Sequence, residues 1–191
     1  LDEKISNMQK TLGVVLAGGL SSRMKQDKAT LQRNHETMLD FSQSILKQCG
    51  VDDIVISGSN YQIKDLFQHL GPLSGIFSVI EQCPATALLI LPIDLPLLKA
   101  NTLKQLKIVG EVSQKACSYE NHPLPLYLPV NSFVELFLQK SLSTTSGKGP
   151  SIRQLVKAIP HKTIAAPNTN CLFNTNTPEQ WKHAQRSFIR E

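Results

Sequence analysis

The sequence predicts a three-layer α/β/α fold with a mostly parallel central sheet. Three observations predict it. Short, wholly apolar runs ending in glycine or proline alternate with segments whose apolar residues recur at helical spacing. Those runs have no polar face, so they need cover on both sides, as in a parallel sheet between helical layers. Of the 191 residues, 41% are hydrophobic and 18% charged, which is enough for a core and too little charge for a disordered chain.

Taken in order, residues 1–11 read as a polar, flexible extension and 12–191 as one domain. LGVVL at 12–16 is the first strand and runs into Gly18-Gly19. Met38, Phe41, Ile45 and Cys49 share a helical face, giving a helix over about 36–49. DDIVIS at 52–57 is a β-branched strand; Ser74 to Cys83 is a helix; ALLIL at 87–91 is a third buried strand ended by Pro92. Leu103 and Leu106 mark a helix with Asn101 as its cap. KACSYE and PLYL are strands flanking a loop at 120–125, followed by a helix carrying Phe133, Val134, Phe137 and Leu138. After a polar loop at 143–151, Ser151 caps a short helix with Ile152, Leu155 and Val156. KTIAA and CLFN, within 162–174, form the last strand pair. Thr177, Pro178 and Gln180 then open a terminal helix as N-cap, first turn and capping box, with Trp181 on its core face.

Composition also excludes function classes. No apolar run approaches the ~18–20 residues of a membrane span, and the amino-terminal stretch is polar rather than of signal-peptide type. The net charge of +5 suits a polyanionic partner, but the basic residues are dispersed and only 6% of residues are aromatic, which argues against a nucleic-acid stacking surface. Cys49, Cys83, Cys117 and Cys171 are far apart and form no metal or redox motif. Cys49 and Cys83 end apolar helical patterns as buried thiols, and the expected compartment is the reducing cytoplasm. His35, His69, His161 and His183 read as surface residues.

In a sheet of this kind ligands collect at the carboxyl ends of the strands. The first strand ends in Gly18-Gly19 followed by Ser21, Ser22, Arg23 and Lys28. Such a turn can aim backbone N–H groups and positive charge at a phosphate, or it can be an ordinary strand-to-helix connection. The P-loop pattern and the dinucleotide G-x-G-x-x-G are both absent. Asp94 stands between Pro92 and Pro96 just past the third strand. It is either a ligand for a divalent ion such as Mg²⁺ shared with substrate phosphates, or a cap of the following helix. Asp65 is a second carboxylate and taken alone reads as a surface residue. A basic glycine turn beside a proline-fixed aspartate suggests nucleotidyl transfer, which needs alignment and charge neutralisation and no protein nucleophile.

L-A-G-G-x-S-x-R-M-x-x-D-K at 16–28, G-P-L-S-G-I at 71–76, P-x-D-x-P-x-L at 92–98, H-P-L-P-L-Y at 122–127 and F-N-T-N-T-P-E at 173–179 occur in this order. Together they resemble the molybdenum cofactor guanylyltransferase family. The resemblance implies a Rossmann-like nucleotidyltransferase fold, and transfer of GMP from GTP to Mo-molybdopterin with release of pyrophosphate and use of Mg²⁺. It implies backbone contacts to GTP from Leu16, Ala17 and Gly18, a tight loop at Gly19, and phosphate neutralisation by Arg23 and Lys28. Asp65 would touch the nucleoside and Asp94 would bind metal and nucleotide; His122, Pro123, Asn174 and Asn176 would lie on the molybdopterin side. Where the family has glycine after Arg-Met this chain has Lys25, and where it has a nucleotide-contacting asparagine this chain offers Ser57 and Ser59. The implied macromolecular partners are molybdenum cofactor chaperones or apo-molybdoenzymes, with no nucleic acid and no membrane. Cytidylyl transfer to the same acceptor and non-catalytic cofactor delivery are the alternative readings.

Overall fold

The computed structural model of the chain describes residues 10–18, 24, 27–67, 70–144 and 149–188. In chain order the larger elements are β1 (Thr11–Leu16), α1 (Met38–Gln48), β4 (Asp53–Ser57), α2 (Pro72–Gln82), β5 (Ala87–Pro92) and α3 (Ala100–Ser113). β6 (Ala116–Tyr119), β7 (His122–Pro129), α4 (Ser132–Ser143), α5 (Ile152–Ala158), β8 (His161–Ile164) and α6 (Pro178–Phe188) follow. A small hairpin, β2 (Gln32–Arg33) with β3 (Glu36–Thr37), leads into α1.

The six larger strands form one sheet in the order β4-β1-β5-β7-β6-β8. The predicted parallel character holds for β4, β1 and β5 and for the β6–β8 pair, while β7 runs against both of its neighbours. Along β1 and β5 successive residues face opposite cores. Val15, Leu89 and Leu91 meet α1, α3 and α6, whereas Val14, Leu88 and Ile90 meet α2, α4 and α5. The three layers are therefore in place, and Trp181 lies in the first core with its ring edge against Phe188.

Several boundaries moved for identifiable reasons. α1 starts at Met38 because Thr37 and Asp40 close a capping box there. α2 starts at Pro72, whose missing N–H costs nothing in a first turn. Asn101 is not the cap of α3; Lys99 occupies that position, and its side chain makes no capping bond to the helix. β7 begins at His122, so the expected loop at 120–125 shrinks to a two-residue turn with Asn121 at φ 63°. CLFN is not a strand: Thr169–Leu172 is a 3-10 turn. The Asn168 side chain accepts from the Asn170 N–H there, a local bond that competes with extended pairing. Among the thiols, Cys49, Cys117 and Cys171 are buried but Cys83 is only half-buried. Burial pushes the Cys49 thiol up to about 11, so it stays protonated near neutrality. His161 is not a free surface residue; it is half-buried against the Ser118 hydroxyl at 2.9 Å, and burial lowers its pKa.

One packing contact gives a direct stability prediction. A methyl group at Gly110 of α3 would overlap the ring of Tyr127, which is 0% exposed on β7 and has no room to swing away. Alanine gains about 1 kcal/mol of helix propensity over glycine, but overpacking costs about 1–3 kcal/mol and more where nothing yields. Gly110→Ala is therefore expected to lower the urea midpoint, corresponding to a net loss of about 2 kcal/mol.

Candidate active site

The chain leaves β1 through α1 to reach β4 on one side, then returns through α2 to β5 on the other. The carboxyl ends of β4, β1 and β5 thus flank the point where strand order reverses, which is where open α/β sheets bind ligands. β7 runs the opposite way, so His122, at its amino end, arrives at the same edge.

The glycine turn is fastened to β4. The N–H groups of Ala17 and Gly18 both donate to the Ser57 carbonyl, at 2.9 and 3.1 Å, and the Leu16 carbonyl accepts from Ile93 N–H at 3.2 Å. These two expected anion donors are therefore already committed within the chain. Side-chain-free residues are needed here because the backbones nearly touch: a Cβ on Gly58 would lie 2.9 Å from the Gly18 nitrogen. Gly19, Arg23 and Lys25 lie outside the described residues. The chain is described again at Met24, which is buried, and from Asp27 onward.

Lys28 opens a 3-10 turn, Lys28–Thr30, capped by Asp27, whose carboxylate accepts from Ala29 N–H at 2.9 Å. Buried Ala29 anchors the turn, and Tyr61 reaches Asp27 at 3.4 Å. From this base the Lys28 ammonium meets Asp94 Oδ2 at 3.2 Å and Asn176 Oδ1 at 2.6 Å. Both members of the ion pair are 15% exposed.

Asp94 does not cap α3, which begins six residues further on, at Ala100. The segment Asp94–Pro96 is held from two sides. The Asp94 carbonyl accepts from Thr175 N–H at 2.9 Å and from the Thr175 hydroxyl at 3.3 Å. Arg33 donates from Nε to the Pro96 carbonyl at 2.8 Å while its guanidinium lies over Phe41 and Phe188. The other carboxylate oxygen, Oδ1, is buried and has no hydrogen-bond partner from another residue among the described residues. Burial raises the Asp94 pKa and the Lys28 charge opposes that rise. A desolvated carboxylate with one orphan oxygen fits a cation. Among the described residues no group of three or more His, Cys, Asp and Glu gathers to hold a metal. Asp94 with substrate phosphates is thus a donor set suited to Mg²⁺, which takes one or two carboxylates and keeps several waters.

Asp65 sits beside the glycine turn rather than on open surface. A Cβ on Gly18 would be 4.0 Å from its Oδ2 and one on Gly75 would be 3.3 Å from its Oδ1. Burial raises its pKa, and a hydrogen bond from the Ser57 hydroxyl works against that rise. Two serines of α2 hold its loop: Ser78 Oγ accepts from Leu66 N–H at 2.8 Å, and Ser74 Oγ exchanges bonds with the Phe67 backbone. His122 is half-buried, Asn176 half-buried and Asn174 exposed.

Sequence reasoning missed Asp27, Thr175, Arg33, Ser74 and Ser78 as supports of the site. The serines left a signal, since two hydroxyls four residues apart on an apolar helix face need a partner. Thr175 left none, because only the fold sets it over Asp94.

Comparison with known proteins places the chain in a family. Residues 13–161 match the model of the MobA-like NTP transferase domain. A molybdenum cofactor guanylyltransferase from Xanthomonas euvesicatoria pv. vesicatoria is 36% identical over 88% of this chain and 91% of its own length. Molybdopterin-guanine dinucleotide biosynthesis protein A from Archaeoglobus fulgidus superposes with a TM-score of 0.74 at 19% identity, covering 94% of this chain and 100% of that one. A Mycobacterium tuberculosis H37Rv protein solved in complex with manganese superposes with a TM-score of 0.64 at 18% identity, covering 93% of this chain and 99% of that one. With strand ends, ordered motifs and family model in agreement, this chain belongs to the MobA-like NTP transferase family.

Proposed function

We propose that the protein transfers GMP from GTP to Mo-molybdopterin, forming the guanine dinucleotide of the cofactor and pyrophosphate. The observation that carries this reading is the Asp94–Lys28 pair at the carboxyl ends of β1 and β5, with Asp94 Oδ1 buried and, among the described residues, without a partner from another residue. The 36% identical relative named as a guanylyltransferase supports the choice of base and acceptor.

The transfer forms one bond from an acceptor oxygen to the α-phosphorus and breaks the bond from that phosphorus to the pyrophosphate oxygen. A divalent ion such as Mg²⁺ held by Asp94 would neutralise phosphate charge. Lys28 contributes a second positive charge, which acts most strongly where water is largely excluded. Asp65 and Ser57 lie at the nucleoside end, with Arg23 and Gly19 assigned to the phosphate loop by position in the motif. His122, Asn174 and Asn176 border the acceptor side. The proposed compartment is the cytoplasm, a placement supported by four unpaired thiols. No helix among the described residues is long and apolar enough to cross a membrane.

Pyrophosphate release with GTP, Mg²⁺ and molybdopterin tests the reading. Turnover with GTP that exceeds turnover with CTP is the expected result. Preference for CTP overturns the base assignment, and no turnover with either overturns the activity.

A further inference from the structure

We infer that Asn176 is a positioning residue for Lys28: its side-chain oxygen holds the ammonium in place before a triphosphate arrives. The inference rests on the guanylyl-transfer reading and gives the 173–177 segment a task in the nucleotide half of the site.

The Lys28 ammonium is closer to Asn176 Oδ1, at 2.6 Å, than to Asp94 Oδ2, at 3.2 Å. A lysine ammonium is a point charge on a flexible four-carbon stem, so a fixed acceptor decides where it rests. Asn176 is such an acceptor because its own backbone is fixed. Its N–H donates to Gln180 Oε1 at 2.7 Å, and the same oxygen accepts from Thr177 N–H at 3.1 Å. Gln180 N–H closes the box on the Thr177 hydroxyl at 3.3 Å. The N-terminal cap of α6 therefore sets the position of Asn176.

The neighbouring residue acts on the other member of the pair. Thr175, 1% exposed, places both of its donors on the Asp94 carbonyl. Residues 175 and 176 thus hold Asp94 by its backbone and Lys28 by its charge, although the two are 66 positions apart in the chain. An asparagine that served the acceptor alone would have no reason to spend its oxygen on the lysine.

The test is calorimetric titration with GTP and Mg²⁺, without molybdopterin, of the wild type, Asn176→Ala, Lys28→Ala and the double variant. Asn176→Ala leaves the Gln180 bond intact because that bond uses the backbone; Asn176→Ser, too short to reach Lys28, serves if the alanine variant does not fold. GTP affinity is expected to fall about tenfold in Asn176→Ala, the loss typical of one hydrogen bond to a charged group. The double variant is expected to bind no more weakly than Lys28→Ala alone. Unchanged GTP affinity in Asn176→Ala, or losses that simply add, overturns the inference while leaving guanylyl transfer standing. A wild type that takes up no GTP overturns both.

Discussion

Asp94→Asn is expected to lower turnover by about a thousandfold or more, on the scale of losing a preorganised charge contact in the transition state, and to leave the fold no less stable. The two halves of this result have one cause. Asp94 is buried enough that desolvation raises its pKa, its Oδ1 has no partner from another residue among the described residues, and Lys28 offsets only part of the cost. A carboxylate kept in that state costs stability, which the proposed cation and phosphates would offset. Asparagine removes the charge and its desolvation cost while keeping the shape, Lys28 keeps Asn176 Oδ1 as an acceptor when its counter-ion is gone, and the backbone bonds from Thr175 do not depend on the side chain. Steady-state pyrophosphate release and urea midpoints measured on the same preparation check both halves. A midpoint that falls together with turnover would make Asp94 a structural residue, and unchanged turnover would remove it from the chemistry.

The legible part of the fold was the part governed by local pattern. β1 and β5 read as strands because every residue faces a core, and α6 was announced by Thr177, Pro178 and Gln180. β7 was misread in extent because His122-Pro123-Leu124-Pro125 looks like a loop; those prolines sit where the β6–β7 register shifts beside Tyr119, so the missing N–H groups interrupt little pairing. CLFN has strand composition, yet β8 is the edge strand and the Asn168 cap turns the chain instead. In the candidate site, prolines marked Asp94 just past β5, and charge marked Lys28 in the segment that follows β1. The hydrogen bonds that fix them were not legible, since Thr175 and Asn176 reach them only after the chain has passed, beyond Asp94, through three further strands, β6, β7 and β8. The glycine turn was legible as a turn but not in its bonding. Two of its N–H groups go to Ser57, a partner visible only when β4 lies beside β1.

Lys28→Met should cost both turnover and stability, the reverse of what Asp94→Asn does to the fold. Methionine keeps the length of the stem and removes the charge, so Asp94 stays buried without its counter-ion and Asn176 loses its donor. Breaking a buried pair from one side costs about 3–5 kcal/mol; with 15% of each side chain exposed, about 2 kcal/mol is expected. The loss should depend on pH with a definite sign. The Asp94 pKa is already raised in the folded chain, and removal of Lys28 raises it further. The native state then holds a proton more tightly than the unfolded state, whose carboxyl titrates near its ordinary value of about 3.9. Between those two values the native state binds more protons, so stability falls as pH rises. Below the unfolded value the carboxyl is neutral in both states and its contribution is complete. Urea midpoints at pH 4, 6 and 8 should therefore show the gap between wild type and Lys28→Met widening with pH, and Asp94→Asn added to the variant should remove that dependence. A gap of constant size would mean that Lys28 stabilises the fold through its stem rather than through the charge it brings to Asp94.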